Sequence, residues 1–300
     1  MRVAFGLLAV GLAGGMWIDG ATIFTEPPIV ERAGYRVIEA DLHVHTRYSD
    51  GVLSPLEVVL TARRAGLDAV AVTEHNMVLP AKMAAWFARL IDGPTVIVGE
   101  EVTSRRYHML AFGLHDSISA RADAREVVAA IRAQGGVAIA AHPVARFRDG
   151  FEGVELDGAE VVHPIAFGGG NAIDFRWSQM VEFYEHAYAA DGSFTAVGAS
   201  DYHFFRVLGL CRTYIFARDD SEAELVNALR DGRTVAVAPD GTRFGDPALA
   251  SDLDREALRP PRVGYAPAGW FDAVTRSVAW LGMLALVVLR KRSSSASARH

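Results

Sequence analysis

From about Val37 onward, short apolar runs alternate with stretches of helical periodicity. Eight runs, at 37–45, 69–75, 95–102, 107–114, 137–142, 195–203, 213–217 and 234–238, are rich in Val, Ile, Ala and Thr. Most are apolar at consecutive rather than alternate positions, the pattern of strands buried on both faces. Helices with readable starts lie between several of them. Ser54-Pro55-Leu56-Glu57 is a capping box with Pro at the first helical position, and Ser221-Glu222-Ala223-Glu224 has the same form, opening a helix that stops near Asp231-Gly232. Alternating β and α elements predict an α/β domain over 36–250 with a mostly parallel sheet, either open or closed into a barrel.

The ends follow a different pattern. Residues 3–18 are apolar throughout, with Arg2 before them and Asp19 after, which predicts a signal peptide or N-terminal membrane anchor within 1–30. At the other end, 277–289 is apolar and runs into Arg290, Lys291 and Arg292. Extended back to Phe271, that run rises about 28 Å, close to a hydrocarbon core. The expectation is a transmembrane helix over 270–292, joined to the domain by a linker at 251–269. The basic, Ser-rich tail at 293–300 would then be cytoplasmic and the catalytic domain extracytoplasmic, on the periplasmic side.

Composition narrows the chemistry. Hydrophobic residues are 51% of the chain and charged residues 22%, which suits a globular domain with added apolar sequence. A net charge of −6 argues against a stable nucleic-acid complex, whose phosphates need clustered Lys and Arg. The expected partner is a small-molecule substrate, together with the membrane through the terminal helices. Cys211 is the single cysteine, so neither a disulfide framework nor a Cys-based zinc finger is available. Any metal must be held by His and carboxylates.

The placement of the ten histidines gives that requirement weight. His43-Val44-His45 means little alone, but it ends an expected strand, where alternate side chains share a face. Other expected strands also end in ligand types: Glu74-His75, Glu100-Glu101, His142-Pro143 and Asp201-Tyr202-His203. His108 opens the fourth run, and Asp50-Gly51 follows the first in a turn. Ligands at the carboxyl ends of parallel strands converge on one rim, where α/β barrels keep their active sites. Imidazole and carboxylate suit Zn, Mn or Fe, and this many ligands serve two or three divalent ions, with Glu101 suited to bridging. Water activated by adjacent metals needs no Ser, Cys or Lys nucleophile.

These motifs resemble the PHP (polymerase and histidinol phosphatase) family. Asp41-Leu42-His43-Val44-His45-Thr46 with Ser49-Asp50-Gly51 is similar to its opening motif. Thr73-Glu74-His75-Asn76, Gly99-Glu100-Glu101, Ala141-His142-Pro143 and Ser200-Asp201-Tyr202-His203 are similar to later ones. The resemblance spans roughly 36–245 and implies a distorted (β/α)7 barrel with a trinuclear site. It implies His43, His45, Asp50, His75, Glu101, His108, His142, Asp201 and His203 as ligands, with Glu101 preferred to Glu100 on the family's Gly-x-Glu spacing. Glu74 departs from the Asp more often found there. The segment from Gly209 to Val235 resembles a branch that includes carbamate-insecticide hydrolases, while other members hydrolyse phosphomonoesters or nucleotides.

The expected activity is phosphoester hydrolysis by metal-activated water on a small phosphomonoester or nucleotide. Arg206 is the leading candidate to hold the phosphate bidentately, ahead of Arg47, Arg105 and Arg106. His163, before Pro164, is a candidate proton donor. Hydrolysis of a carboxylic or carbamic ester is the alternative, favoured by an apolar pocket around Phe204 and Phe205. A non-catalytic, membrane-tethered metal module is a third reading, disfavoured because no ligand position is lost.

Overall fold

The computed structural model describes residues 2–23, 29–120, 122–168, 175–204, 207–253 and 270–297. The chain divides into two compact units, one of Met1–Glu26 with Gly264–His300 and one of Pro27–Val263.

In the larger unit, β1 (Glu31–Arg32) and β2 (Tyr35–Val44) lead into α2 (Pro55–Arg64), α1 lying in the other unit at Arg2–Ile23. β3 (Ala69–Val72), α3 (Leu79–Leu90), β4 (Thr95–Thr103), β5 (His108–Phe112), α4 (Ala124–Ala133) and β6 (Val137–Ala140) follow. Then come β7 (Gly158–Val162), α5 (Trp177–Ala190), β8 (Thr195–Gly198), β9 (Thr213–Ala217), α6 (Glu222–Arg230), β10 (Thr234–Val237), β11 (Arg243–Gly245) and α7 (Pro247–Asp252). One sheet runs in the order β11-β10-β9-β2-β3-β4-β5-β6-β7-β8, with β1 beside β2. Beyond β8 the chain meets β2 again: His45 N–H donates to the Tyr202 carbonyl at 3.0 Å and Tyr202 N–H to the His43 carbonyl at 3.2 Å. The sheet thereby nearly closes into a barrel, the α/β architecture that the alternating pattern predicts.

The sheet is mixed rather than mostly parallel. β2-β3-β4 and β6-β7-β8 pair in parallel, but β5 is antiparallel to both β4 and β6, and β9 is antiparallel to β2. The reason is local. Residues 104–107 are too few for a crossover and form a turn, closed by Ser104 N–H on the Tyr107 carbonyl at 3.0 Å. Thr103 therefore faces His108, and β5 begins at the end of the barrel where β4 finishes. β7 was legible only as a short apolar run before His163.

Side chains alternate between two cores. Ile38, Ala40, Leu42, Ile97, Leu110, Ile139 and Val197 point into the barrel, where Leu225 and Leu229 of α6 join them. Val70, Val72, Val96, Val98, Met109 and Ala138 point outward and are covered by Val58, Val59, Ala84 and Val127 of the helices. Ser54 and Glu57 form the reciprocal cap of α2. Ser221 caps α6 through the Glu224 N–H, but the return arm is absent, because the Glu224 carboxylate instead accepts from Arg218 N–H and Arg233, each at 3.0 Å.

In the smaller unit, α1 packs against α8 (Trp270–Ser297) through small residues: a Cβ at Gly11 would strike the backbone of Ala279, and one at Gly282 that of Leu8. No helix among the described residues is long and apolar enough to cross a membrane. This overturns the expected spans at both ends, and with them the membrane anchoring and the extracytoplasmic placement built on it. The physical reason is length. Between Arg276 and Arg290 the apolar run is 13 residues, about 20 Å against a hydrocarbon core of about 30 Å. The 16 residues of 3–18 rise about 24 Å and include four glycines. Residues 254–269, most of the expected linker, lie outside the described residues.

Candidate metal centre

The pairing of β2 with β3 slips between Asp41 and Val44, a bulge-like irregularity of the kind that re-aims side chains next to active sites. His43 and His45 emerge from it with their Nε2 atoms 2.9 Å apart. On its other side, His43 Nδ1 meets Glu160 Oε1 of β7 at 2.8 Å. An ionised Glu160 accepts a hydrogen bond from Nδ1–H, so the neutral ring presents its Nε2 lone pair toward His45. Glu160 Oε2 accepts the His142 backbone N–H at 2.5 Å, which ties the end of β6 to the same carboxylate.

Glu101 of β4 is the hub. Its Oε1 lies 2.8 Å from His108 Nδ1 and 3.2 Å from His142 Nε2, and its Oε2 lies 2.8 Å from His75 Nδ1. The same Oε2 is 3.7 Å from His43 Nε2 and 3.6 Å from His45 Nε2. Glu100 points away from the cluster and accepts the Ile118 N–H at 2.5 Å. Asp201 Oδ1 lies 3.4 Å from both His43 and His45 Nε2 and 3.5 Å from His203 Nδ1. Asp50 Oδ2 lies 3.4 Å from His75 Nε2 and 3.3 Å from His203 Nε2. All nine positions of the expected ligand set thus fall in one cluster at one end of the barrel.

The backbone is bent to make this possible. His142, Asp201 and Asn76 are non-glycine residues at φ 28°, 46° and 51°, a conformation costing on the order of 1–3 kcal/mol that persists only where surroundings enforce it. Asn76 repays part of that cost by accepting the Thr103 N–H at 2.9 Å, which fixes His75 beside β4. Asp41, buried behind the cluster, accepts Ser200 N–H at 2.9 Å and Gly209 N–H at 2.7 Å, holding the segment that carries Asp201. Burial pushes its carboxyl up to about 6, against the pull of those hydrogen bonds.

Among the described residues, four groups each have their donor atoms within 4.8 Å of one another: His45-Asp50-His75-His203, His43-His45-Asp201, His43-His142-Glu160 and Glu101-His108-His142. Burial opposes charge on His43, yet Asp201, Glu160 and Glu101 hold its pKa well above the ordinary histidine value. Burial likewise opposes charge on His45, and hydrogen bonds to Asp201 and Glu74 carry it up to about 9. Burial would raise Glu101 and Asp201, but the imidazoles around them hold both well below the usual carboxylate range. The carboxylates that draw protons to these rings attract metal cations for the same reason. The buried Nδ1 atom of His142 has no hydrogen-bond partner in the protein, as a donor meant for a cation would not. The donor set fits divalent metal.

Other expected residues fall differently. His163 is buried with Nε2 3.3 Å from Asp201 Oδ2, behind the cluster. Arg47 is exposed and paired with Glu57 at 2.6 Å, Arg105 and Arg106 line a separate cleft with Asp123 and Asp149, and Arg206 lies outside the described residues. Glu160 was missed. The available signal was a lone acid inside the apolar run 158–162, since a charge buried in a strand needs a partner.

Residues 41–192 match the PHP domain family and residues 185–234 the PHP-associated family. The chain belongs to the PHP family. An uncharacterized protein of Methanocaldococcus jannaschii is 29% identical over 139 residues, 41% of this chain and 81% of that protein. An error-prone DNA polymerase of Mycobacterium bovis is 42% identical over 77 residues, which are 25% of this chain and only 7% of the polymerase. A solved two-domain protein from Bacteroides vulgatus, containing a predicted PHP-like metal-dependent phosphoesterase, has a TM-score of 0.55 and 22% identity. That match covers 71% of this chain and 68% of that protein, and it concerns the fold. Family membership and the convergent donor set together make this PHP protein a metal-dependent hydrolase that uses divalent ions.

Proposed function

We propose that this PHP domain hydrolyses small phosphoesters, phosphomonoesters or nucleotides, with two or three divalent ions of the Zn, Mn or Fe type. The observation that carries the proposal is a carboxylate with imidazoles on both oxygens: Glu101 Oε1 faces His108 and His142, and its Oε2 faces His75, His43 and His45. A carboxylate so placed suits neighbouring ions, and neighbouring ions suit an in-line displacement at phosphorus. When bound, such ions lower the pKa of water and stabilise charge on the attacking and leaving oxygens. The Bacteroides protein with this fold contains a predicted PHP-like metal-dependent phosphoesterase.

The chain's own residues divide the remaining work. The nine clustered side chains hold the ions, with Glu101 at the centre. Arg206, three residues past His203, is the proposed phosphate grip. His163 is better placed to orient Asp201 than to donate a proton to substrate. Its Nδ1 accepts the Ile165 N–H at 3.3 Å, so the ring proton sits on Nε2 and faces Asp201. Water adds to phosphorus, the bond to the ester oxygen breaks, and the departing oxygen takes its proton from solvent.

Ester hydrolysis has one observation in its favour, an aromatic flank: Phe147 stacks on His108 with ring centroids 4.1 Å apart, and Phe204 is half exposed beside His203. Purified full-length protein loaded with Mn or Zn should be assayed against p-nitrophenyl phosphate, bis-p-nitrophenyl phosphate and p-nitrophenyl acetate. Metal-dependent turnover of a phosphate substrate supports the proposal. Turnover of the acetate alone, abolished by the same metal removal, transfers it to ester hydrolysis.

A further inference from the structure

The four donor groups are not equally well built. Three draw on side chains that are buried or nearly so, carried on strands or strand ends. The fourth, His45-Asp50-His75-His203, depends on Asp50, whose side chain is 53% exposed and which sits in the loop between β2 and α2. Something must hold that loop against the cluster.

Within the loop, Ser49 and Gly51 N–H groups donate to the Thr46 carbonyl at 3.3 and 2.9 Å, and Gly51 is forced because any Cβ there would strike the His45 backbone. These bonds shape the loop without anchoring it to the barrel. Beyond Asp50 the loop is tied down by Val52 N–H on the His203 carbonyl at 3.0 Å; before Asp50 the anchor is Glu74, fully buried just past β3. Its Oε2 accepts the Thr46 N–H at 3.0 Å and the Thr46 hydroxyl, while its Oε1 accepts the Ser49 hydroxyl. Ser49 Oγ is also 3.0 Å from Asp50 Oδ1, so its one proton is divided between the carboxylates of Glu74 and of the exposed candidate ligand. The other side of Oε1 faces His45 Nδ1 at 3.6 Å.

We propose that Glu74 is a positioning residue for one metal position: by clamping 46–50 to the barrel it holds Asp50 over His75 and His203, and this position is the weakest-held of the site. The inference rests on the metal-dependent reading above. An aspartate is one methylene shorter and cannot reach Thr46 and Ser49 together. A glutamine that keeps the Thr46 N–H bond must turn its NH2 toward Ser49 and His45, which opposes the His45 tautomer that presents Nε2 as a lone pair.

The test uses full-length protein stripped of metal and titrated with Zn²⁺, with bound equivalents counted by elemental analysis after gel filtration. Wild type, Glu74→Gln, Glu74→Asp and Ser49→Ala are compared. Ser49 is exposed, so its variant will fold even if a Glu74 variant does not. The expected result is that Glu74→Gln and Ser49→Ala bind the last equivalent about 10–100-fold more weakly, the range for lost outer-shell partners, while earlier equivalents keep wild-type affinity. Glu74→Asp should fall between. Wild-type affinity for every equivalent in Ser49→Ala and Glu74→Gln overturns the inference, as does uniform weakening of all equivalents, which would mark a general loss of structure. A wild-type protein that takes up no Zn²⁺ refutes the metal-dependent reading itself and is read separately.

Discussion

His43 Nδ1 and Glu160 Oε1 face each other at 2.8 Å in a place where neither residue is exposed to solvent. The contact decides which nitrogen of His43 is free. Replacing Glu160 by Gln keeps the volume but not the charge. With its oxygen on the His142 N–H, the amide NH2 would face Nδ1 and drive the imidazole proton to Nε2. The expected outcome for Glu160→Gln is a 10–100-fold loss of metal affinity, read by Zn²⁺ titration, in a protein whose circular dichroism matches wild type. Unchanged affinity would show that Glu160 does not fix the tautomer.

Asp201 combines a strained backbone with a central charge. Asn accepts the left-handed conformation readily and can still accept the proton from His163, so Asp201→Asn should fold. Its expected phenotype is lower metal occupancy and much lower turnover, in a protein whose circular dichroism matches wild type. A variant with full occupancy and wild-type turnover would remove Asp201 from the site.

Metal affinity should rise with pH. A metal can use only the lone pair of a neutral imidazole, and His45 in the metal-free protein keeps its proton until about pH 9. Zn²⁺ uptake near neutrality must therefore release protons, measurable by calorimetry in buffers of different ionisation enthalpy. The raised pKa has the opposite sign for the metal-free fold. The stability it contributes is complete below the unfolded value near 6.5 and is lost as pH rises through about 9. Uptake without proton release would contradict this assignment.

Much of the site was legible because chemistry and pattern coincide. A histidine or acid at the end of an apolar run has few reasons to be there, and seven such positions cluster in space with His108, which opens a run, and Asp50, which follows one in a turn. What the sequence hid was long-range. Glu160 answers His43 across 117 residues, and nothing local marks that pairing. The antiparallel placement of β5 followed from a turn too short for a crossover, a length effect that apolarity does not report. At the termini apolar composition misled. Glycines of α1 that read as part of a membrane run instead let α1 and α8 approach each other closely.

Arg212 gives a structural control away from the ions. Its guanidinium pairs with buried Glu39 and donates to the carbonyls of Gly209 at 3.0 Å and Ala65 at 2.9 Å. Breaking such a pair from one side leaves a buried charge, at a cost of about 3–5 kcal/mol. Arg212→Met should lower the denaturation midpoint accordingly while Zn²⁺ stoichiometry in the folded fraction stays at the wild-type value. A loss smaller than about 1 kcal/mol would mean that water reaches Glu39.

The metal content of the intact protein tests the central claim most directly. Purified without chelators and analysed for transition metals, the protein should carry more than one equivalent per chain. Removal of that metal should abolish hydrolysis of p-nitrophenyl phosphate, and Mn, Zn or Fe should restore it. A chain that is purified metal-free, takes up none of these ions and stays inactive in their presence would contradict the account.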